Sequence, residues 1–276
     1  MSDDKSRAEK DQWRLPSKDI TPVLKGWDYE AGTINVRKVS GVDGSPKLQM
    51  RLDLGLLQME MSGRPDGRKP HGFESLLEYY ENELNEHRRS NGTDVGFHLS
   101  SEQCQLLREE ALMYYQRYLS LFVLEEFAGV VRDTSRNLKV LDLCGKFAVD
   151  EQDRLVLEQY RPYIIMMNAR AAAYIHLNSS RPAEALRAVQ AGMERIREFY
   201  VRFGQENSYA GSNEVKVLKR FAREIRRKLP VSPLQRLQRK LDKAVKGEKY
   251  EEAARLRDKI LAMQRAPGGG TSKTEA

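Results

Sequence analysis

The side chains best able to form a nucleophile or a metal site are two cysteines and four histidines. Cys104 and Cys144 each lie in an apolar helical pattern and are forty positions apart, so the sequence offers neither a disulfide framework nor a CxxC zinc pair. We expect buried free thiols. The histidines are His71, His87, His98 and His176. None is three or four positions from another histidine or a cysteine, so we expect no metal and no cofactor.

The motifs of common enzyme classes are missing as well. The sequence has no GxSxG, HExxH or GxGxxG motif and no phosphate-binding loop. The glutamates in Glu109-Glu110, Glu125-Glu126 and Glu251-Glu252 are adjacent, so the two members of each pair point to different sides of a helix. This placement suits solvent more than acid–base chemistry. We therefore expect no catalytic residues and no enzyme.

Positive charge is concentrated near the C-terminus. The chain holds 47 Lys or Arg and 40 Asp or Glu, a net charge of +7. Positions 214–265 hold 17 basic and 7 acidic residues, and the remainder has a net charge of −3. Five basic residues at helical spacing are candidate contacts to nucleic acid: Lys216, Lys219, Arg220, Arg223 and Arg227. The alternative is a solvated face of an amphipathic helix, because Val215, Leu218 and Ile225 form an apolar stripe there.

The composition predicts a mainly helical protein that does not enter a membrane. Hydrophobic residues make up 40% and charged residues 32% of the chain. No apolar run approaches the roughly 18 to 20 residues that span a bilayer. The first residues are polar and do not resemble a secretory signal, so we expect a cytoplasmic location. Residues 1–12 and 266–276 are polar or glycine-rich, and we expect disordered tails there.

The segment 13–72 predicts a small antiparallel sheet. Apolar residues alternate from Thr33 to Met61, and Asp43-Gly44 marks a turn. Four leucine and methionine residues are expected on one face: Leu48, Met50, Leu52 and Leu54. After Gly55 the parity reverses, which a bulge or a tight turn to a third strand explains. So few strands are not stable alone, and we expect them to pack on the helices that follow.

The loop Gly63–Gly72 joins this sheet to the first helix and contains three basic residues and one histidine. Its glycines and prolines favour a plain connector over an anion site. Folding could still assemble a catalytic cluster, for example around Arg64, Asp66 and His71, and the sequence leaves that alternative open.

Residues 73–229 predict a helical domain. The first helix is expected from Phe73 to about Arg89, and the second follows the caps Ser100 and Ser101. Later helices are expected beyond a break near Ala128-Gly129, from Asp153 to Leu177, and from Pro182 to Phe203. Pro162 is expected either to kink its helix or to mark a boundary at Arg161.

The helices are expected to pair as antiparallel hairpins. The run Ala171–Leu177, followed by Glu184-Ala-Leu186, resembles a degenerate tetratricopeptide unit. This resemblance implies a stack of α-hairpins. The alternative is an unrelated helical bundle, since the turn is long and the second helices start about 55 residues apart instead of 34.

The segment 230–265 predicts a helical hairpin. Apolar residues recur at helical spacing on both sides of Gly247-Glu248-Lys249. The stretch Leu241–Ile260 closely resembles the UVR motif, which occurs at the C-terminus of excision-repair UvrB, in UvrC, in some stress regulators and in Clp ATPases. The signature Glu-x-aromatic-Glu-x-Ala-Ala-x-Leu-Arg-Asp-x-Ile is matched by residues 248–260, with Tyr250 at the aromatic position.

The resemblance implies a protein–protein contact module without catalytic activity. A hairpin of this size buries little surface, so its exposed apolar stripe should meet a second copy, a partner protein or its own helical domain. The expected partner-binding residues are Leu237, Leu241, Val245, Tyr250, Ala253, Ala254, Arg257, Asp258 and Leu261. For Arg257 and Asp258, an ion pair or cap that holds the two helices together is an equal alternative.

The rest of the chain also shows a resemblance. Asn35–Val39, Leu48–Glu60 and Pro70–Tyr80 resemble a bacterial, planctomycete-type family of UVR-motif-containing proteins for which no activity is settled. The zinc-binding CxxC pairs of the stress regulators are missing, and so are helicase and nuclease signatures. We therefore expect a non-catalytic adaptor with a UVR hairpin on a helical platform. The alternative is a factor associated with DNA repair or nucleic acid.

Overall fold

The structure is a computed structural model that describes residues 19–229 and 233–265. It is mainly helical, and the chain divides into two compact units, Met1–Ile225 and Arg226–Ala276. The predicted tails 1–12 and 266–276 and most of the predicted joint at residues 230–233 lie outside the described residues. The finer domain boundary predicted at residue 72 stays a prediction.

The described elements are, in chain order, α1 (Thr21–Leu24), β1 (Val36–Ser40), β2 (Pro46–Arg51), β3 (Leu56–Glu60), α2 (Leu76–Asn91), α3 (Ser101–Val123), α4 (Phe127–Phe147), α5 (Glu151–Leu155), α6 (Arg161–Asn178), α7 (Pro182–Arg202), α8 (Glu206–Tyr209), α9 (Asn213–Lys228), α10 (Pro233–Lys246) and α11 (Tyr250–Arg265). Single turns of 3₁₀ helix occur at Pro70–Gly72 and Glu158–Tyr160. None of the described helices is both long enough and apolar enough to cross a bilayer.

The three strands form one antiparallel sheet in the order β1-β2-β3. Leu48 is paired with Met59, and both are buried. The prediction that Leu52 and Leu54 share the face of Leu48 is wrong. These two leucines lie in the turn between β2 and β3, where Leu52 and Gly55 exchange backbone hydrogen bonds, and Leu54 is 92% exposed. Of the two explanations for the change of parity, the tight turn is therefore correct.

The sheet packs on the helices, as expected. Leu48, Met50 and Met59 belong to the same buried cluster as Tyr118 and Phe127. Side chains alternate across a strand, so one face of the sheet supplies this contact, and Gln49 on the opposite face is also buried. The sheet therefore shares the core of the helical domain.

Helix boundaries follow the capping residues. Ser100 caps α3 and forms a capping box with Gln103, as its position predicted. The start predicted at Phe73 is wrong, because Phe73 is extended and the hydroxyl of Ser75 caps α2 by accepting a hydrogen bond from the backbone N–H of Glu78. Pro162 lies in the first turn of α6, so it marks a boundary and does not kink a helix.

The turns after helices α3, α6 and α7 share one backbone motif. After α3, α6 and α7, a residue with positive φ is followed by a backbone N–H that bonds to a carbonyl five residues earlier. The positive-φ residues are Glu125, Ser180 and Gly204. The turn at Glu125 ends α3 and α4 begins at Phe127, so the junction that the sequence indicates at Leu124-Glu-Glu-Phe127 is correct and the break predicted near Ala128-Gly129 lies just inside α4.

Two of the ion-pair clusters in the first unit contain carboxylates that are 0% exposed. Arg117 and Asp133 are both 0% exposed and form a two-pronged pair, with N–O distances of 2.7 and 2.9 Å. Arg117 also donates a hydrogen bond to the carbonyl oxygen of Glu60 at 3.1 Å, and Arg132 donates one to that of Met61 at 3.0 Å. These bonds join α3 and α4 to the end of β3 and the residue that follows it.

The second cluster surrounds Glu110, which is 0% exposed. Its Oε1 accepts a 2.8 Å hydrogen bond from the backbone N–H of Leu76 at the start of α2, and the carboxylate is paired with Arg136. Arg64 approaches within 3.6 Å. Burial, with Arg64 close by, lowers the pKa of Arg136 to about 9. The expectation that Glu110 faces solvent is wrong, because these partners compensate a buried carboxylate.

The connector Gly63–Gly72 is anchored by this cluster. Arg64 lies 3.1 Å from Asp66, and Arg68 and Lys69 are also paired with carboxylates. His71 stacks on Tyr79 with a 4.2 Å separation of ring centroids. Arg64 and Asp66 thus lie together while His71 packs elsewhere, and the basic residues of the loop are paired with carboxylates of the protein itself.

Helices α3 and α4, and helices α6 and α7, lie against each other as the predicted hairpins. The resemblance to a tetratricopeptide stack stays a prediction. Helices α6 and α7 approach each other closely at Gly192, where an added Cβ would lie 2.4 Å from the Cβ of Ala169. A side chain therefore does not fit at Gly192 without moving one helix.

We predict that Gly192→Ala destabilises the first unit by about 1 to 3 kcal/mol, because the added methyl group overpacks this contact. The matched control is Gly145→Ala in α4, where the new Cβ meets Glu158 Oε1 at an ordinary 3.6 Å. That change should be neutral or stabilise by up to about 1 kcal/mol. Thermal unfolding followed by circular dichroism compares both variants, and equal effects would contradict the role given to Gly192.

Candidate interaction surface

The two helices of the second unit form the predicted hairpin. Pro233 is the first residue of α10, where its missing N–H costs no helical hydrogen bond. Glu251 and Glu252 lie in the first turn of α11, where negative charge favours the helix dipole. Helices α10 and α11 pack along each other. The hairpin is therefore specified by local signals at both of its helix starts.

The turn between these helices repeats the backbone motif of the first unit. The N–H of Lys249 bonds to the carbonyl of Ala244 at 2.9 Å, and that of Glu248 bonds to the carbonyl of Val245 at 3.0 Å. Glu248 is the positive-φ residue, with φ of 56°. Glycine is preferred at this position because a Cβ is strained there. Glu248 is exposed, so no buried contact holds its side chain.

The interior of the hairpin is small. Ala244, Ala253 and Leu256 form its buried cluster, with Leu237 and Leu241 packed against them. Ala244 on α10 and Ala253 on α11 allow a close approach of the two backbones, whereas Ala254 is exposed. Ala253 and Leu237 of the predicted partner-binding set therefore contact the opposite helix and contribute to the hairpin itself.

The remaining predicted residues lie largely on one exposed face. Tyr250, Ala254, Arg257 and Leu261 follow one another at helical spacing on α11, and all are exposed. Tyr250 is 70% exposed and Leu261 is 41% exposed. On α10, Val245 is 51% exposed. We call Val245, Tyr250, Ala254 and Leu261 the apolar stripe.

A shallow groove runs beside the apolar stripe. It is lined by Leu241, Asp242, Val245, Lys246, Tyr250, Ala253, Ala254 and Arg257. Asp242, Lys246 and Arg257 place charge of both signs beside apolar atoms, a composition typical of protein–protein contacts. Sequence reasoning missed Asp242 and Lys246. Their position four residues apart, beside Leu241 and Val245 on α10, was the available signal.

Arg257 and Asp258 form a loose pair, with a distance of 3.7 Å from Nε to Oδ1 and exposures of 67% and 70%. Both residues belong to α11, so this pair does not join the two helices. Exposed pairs of this kind contribute at most about 1 kcal/mol. Their predicted contact with a partner stays a prediction.

The candidate nucleic-acid contacts lie on α9. Lys216, Lys219, Arg220, Arg223 and Arg227 are all exposed. The ion pairs among residues 19–229 and 233–265 include none of the five, and Lys219 lies 5.7 Å from the ring centroid of Tyr209. Val215, Leu218 and Ile225 are buried, as the amphipathic pattern predicted. Both interpretations of this helix, a phosphate-binding face and a solvated face, are compatible with such exposure.

The comparisons with known proteins identify the hairpin. The model of the UvrB/uvrC motif matches residues 232–266, which confirms the resemblance inferred from the signature. The match covers helices α10 and α11 and leaves the sheet and helices α1–α9 outside it. Searches of the curated proteins and of the solved structures returned no match to the chain.

We predict that Glu248→Gly stabilises the hairpin by about 1 kcal/mol, because glycine removes the Cβ strain at positive φ. Amide hydrogen exchange of residues 240–256 in the full chain should slow about fivefold. Glu252→Gly is the matched control, since the same change inside α11 should speed exchange. Faster exchange in Glu248→Gly would show that the carboxylate contributes more than the strain costs.

Proposed function

We propose that this protein is a non-catalytic adaptor that binds a protein partner through its UVR hairpin. The observation that carries the proposal is the apolar stripe, which leaves Tyr250 70% exposed on a hairpin that matches the UvrB/uvrC motif. UVR motifs occur in DNA-repair proteins and serve as interaction modules.

Two physical arguments support this proposal. First, the described side chains of the hairpin that are buried are two alanines, one leucine and one isoleucine, a small interior. Burying the apolar stripe against a partner removes further apolar surface from water. Second, Tyr250 combines a large apolar ring with a hydroxyl group, the side-chain type enriched at interface hot spots. The groove beside it has the shape and composition to take an apolar helix face.

The absence of catalysis is part of the proposal. Two carboxylates of the first unit, Glu110 and Asp133, are each 0% exposed and paired with arginine. A general base must reach the proton that it removes, and neither carboxylate is accessible to an outside substrate. Both therefore fit a structural role.

We predict that Val245→Asp combined with Tyr250→Asp abolishes the association made by the full chain. Each change places a charge where apolar surface must be buried, and we expect at least about a 30-fold loss of affinity. Light scattering measures self-association, and affinity capture measures retention of a partner. Raising the salt concentration should change the wild-type association little, because apolar contact depends weakly on salt.

The matched control is Ala262→Asp, which adds the same charge at an exposed position on another face of α11. It should retain every association of the wild type. The adaptor proposal fails if the Val245/Tyr250 variant behaves like this control, or if the full chain associates with nothing.

The second candidate function is nucleic-acid binding through α9. It is favoured by the five exposed basic side chains that form no ion pair within the described part of the chain. Cations that are free of acidic partners can release counterions from a phosphate backbone. This function requires no apolar contact at the hairpin, so the two candidates are tested separately.

We predict that, if α9 binds nucleic acid, Lys216→Gln, Arg220→Gln and Arg223→Gln together lower the slope of log affinity against log salt by about three. Fluorescence anisotropy with duplex DNA between about 50 and 200 mM salt gives this slope. The control is Arg187→Gln, Arg195→Gln and Arg197→Gln on α7, which removes the same charge elsewhere. If both triple variants lose affinity equally, the site on α9 is excluded.

A further inference from the structure

The sheet of the first unit has an open edge along β3, the last strand in the order β1-β2-β3. A reciprocal pair of backbone hydrogen bonds closes the turn from β2 to β3, and from there the hydrogen-bonded positions alternate along the two strands. The register therefore directs the backbone groups of Leu57 and Met59 toward β2, and those of Leu56 and Gln58 away from it. No hydrogen bond to these outward groups is formed within the described part of the chain.

The far end of this edge is closed at Glu60. Its backbone N–H also points away from β2 and bonds to the carbonyl of Pro65 at 2.9 Å. The carbonyl oxygen of Glu60 accepts the 3.1 Å hydrogen bond from Arg117. Pro65 thus holds the position that a further strand would take opposite Glu60. The open part of the edge is limited to the N–H and C=O groups of Leu56 and Gln58.

An apolar groove of about 330 Å³ lies beside the open edge, between β3, the connector and α3. Leu57 and Met59 line it from the side of the sheet that meets the helices, because they pair with Met50 and Leu48 of the buried cluster. On the side of α3 the groove is lined by Leu112, which is 57% exposed. Its further apolar walls are the side chains of Pro65 and Met113.

We propose that β3 and this groove bind an extended, uncharged segment of a partner protein by strand addition. The outward N–H and C=O groups of Leu56 and Gln58 pair with the backbone of any extended chain. Every second side chain of the added strand then lies over the groove, which selects apolar residues. A helix cannot take this place through its backbone, because its own N–H and C=O groups are bonded internally.

The charge around the groove favours an uncharged occupant. Asp66 lies in the groove wall and is already paired with Arg64 at 3.1 Å. A charged side chain in the groove would lose its hydration without gaining a free partner.

A flexible segment fits this edge better than the sheet of a second copy does. A β3 strand of another chain that paired with Leu56 and Gln58 would continue past Gln58 and meet Pro65. A segment that turns away after a few residues avoids this contact. The proposed site belongs to the first unit and uses no residue of the apolar stripe, so it goes beyond the adaptor proposal and is tested independently of it.

The test uses the full chain, and the probe is a phage-displayed library of random heptapeptides. We expect enrichment of peptides with alternating apolar residues, and micromolar binding of the synthesised peptides by fluorescence anisotropy. Amide hydrogen exchange followed by NMR then locates the contact. A bound peptide should slow exchange of the Leu56 and Gln58 amides at least about tenfold, and should affect those of Leu57 and Met59 less, since β2 already protects them.

This measurement on the wild type decides the proposal. It is overturned if the library yields no binding peptide, or if none of the peptides that bind slows exchange of the Leu56 and Gln58 amides.

Leu112→Asp should weaken binding of a selected peptide at least about tenfold, because it places a charge in the groove. The matched control is Leu106→Asp, which makes the same change on α3 at a residue that is 41% exposed and does not line the groove. The control should bind as the wild type does, and equal losses in both variants would contradict the role of the groove.

Gln58→Pro tests the backbone pairing. It removes the outward N–H and leaves the hydrogen bonds between β2 and β3 in place, so we expect about a tenfold loss of affinity. Gln58→Ala is the matched control, because it keeps this N–H while both variants lose the side-chain hydrogen bond to Gln49. Equal affinities of the two variants would overturn strand addition even if Leu112→Asp does not fold.

Discussion

The buried pair of Arg117 and Asp133 is the interaction on which the first unit most depends. Neither side chain touches solvent, so removing one partner would leave an uncompensated charge at a cost of about 3 to 5 kcal/mol. Arg117 also reaches the carbonyl oxygen of Glu60 at the end of β3. A shift of α3 along α4 would break both contacts at once, so the pair sets the register of the two helices and the place of the sheet against them. The Glu110 cluster likewise holds the start of α2, through the backbone N–H of Leu76, and the connector Gly63–Gly72, through Arg64.

Small residues and helix turns set the remaining architecture. Gly192 and Ala169 let α6 and α7 approach closely, and Ala244 and Ala253 do the same for α10 and α11. One backbone motif ends α3, α6, α7 and α10, although glycine occupies its positive-φ position only after α7. Because a tight turn brings consecutive helices side by side, this motif produces antiparallel hairpins in both units. The hairpin of the second unit therefore uses the same local device as the helical domain, with a smaller interior and a more exposed apolar surface.

Much of the fold and part of the candidate site could be predicted from local patterns. Ser100 and Gln103 predict the start of α3, and the apolar spacing on both sides of Gly247 predicts the hairpin. Errors arose where long-range contacts override a local pattern. Leu52 and Leu54 continue the alternation of β2, yet they lie in a turn because the chain reverses at Gly55 to form β3. Glu110 looked like a solvent residue, since the arginines that neutralise it lie 46 positions before it and 26 positions after it in the chain.

The sequence by itself determined the fold class, the helix and strand periods, the basic character of α9 and the presence of the UVR motif, because each depends on residues close together in the chain. Only the tertiary structure decided which ionisable groups are buried and paired, which hairpin residues face the interior, and that Cys104 and Cys144 belong to one buried cluster. The physical reason is the range of the interactions. Capping, helical periodicity and turn geometry act over a few residues, whereas burial and ion pairing depend on helices that pack from distant parts of the chain.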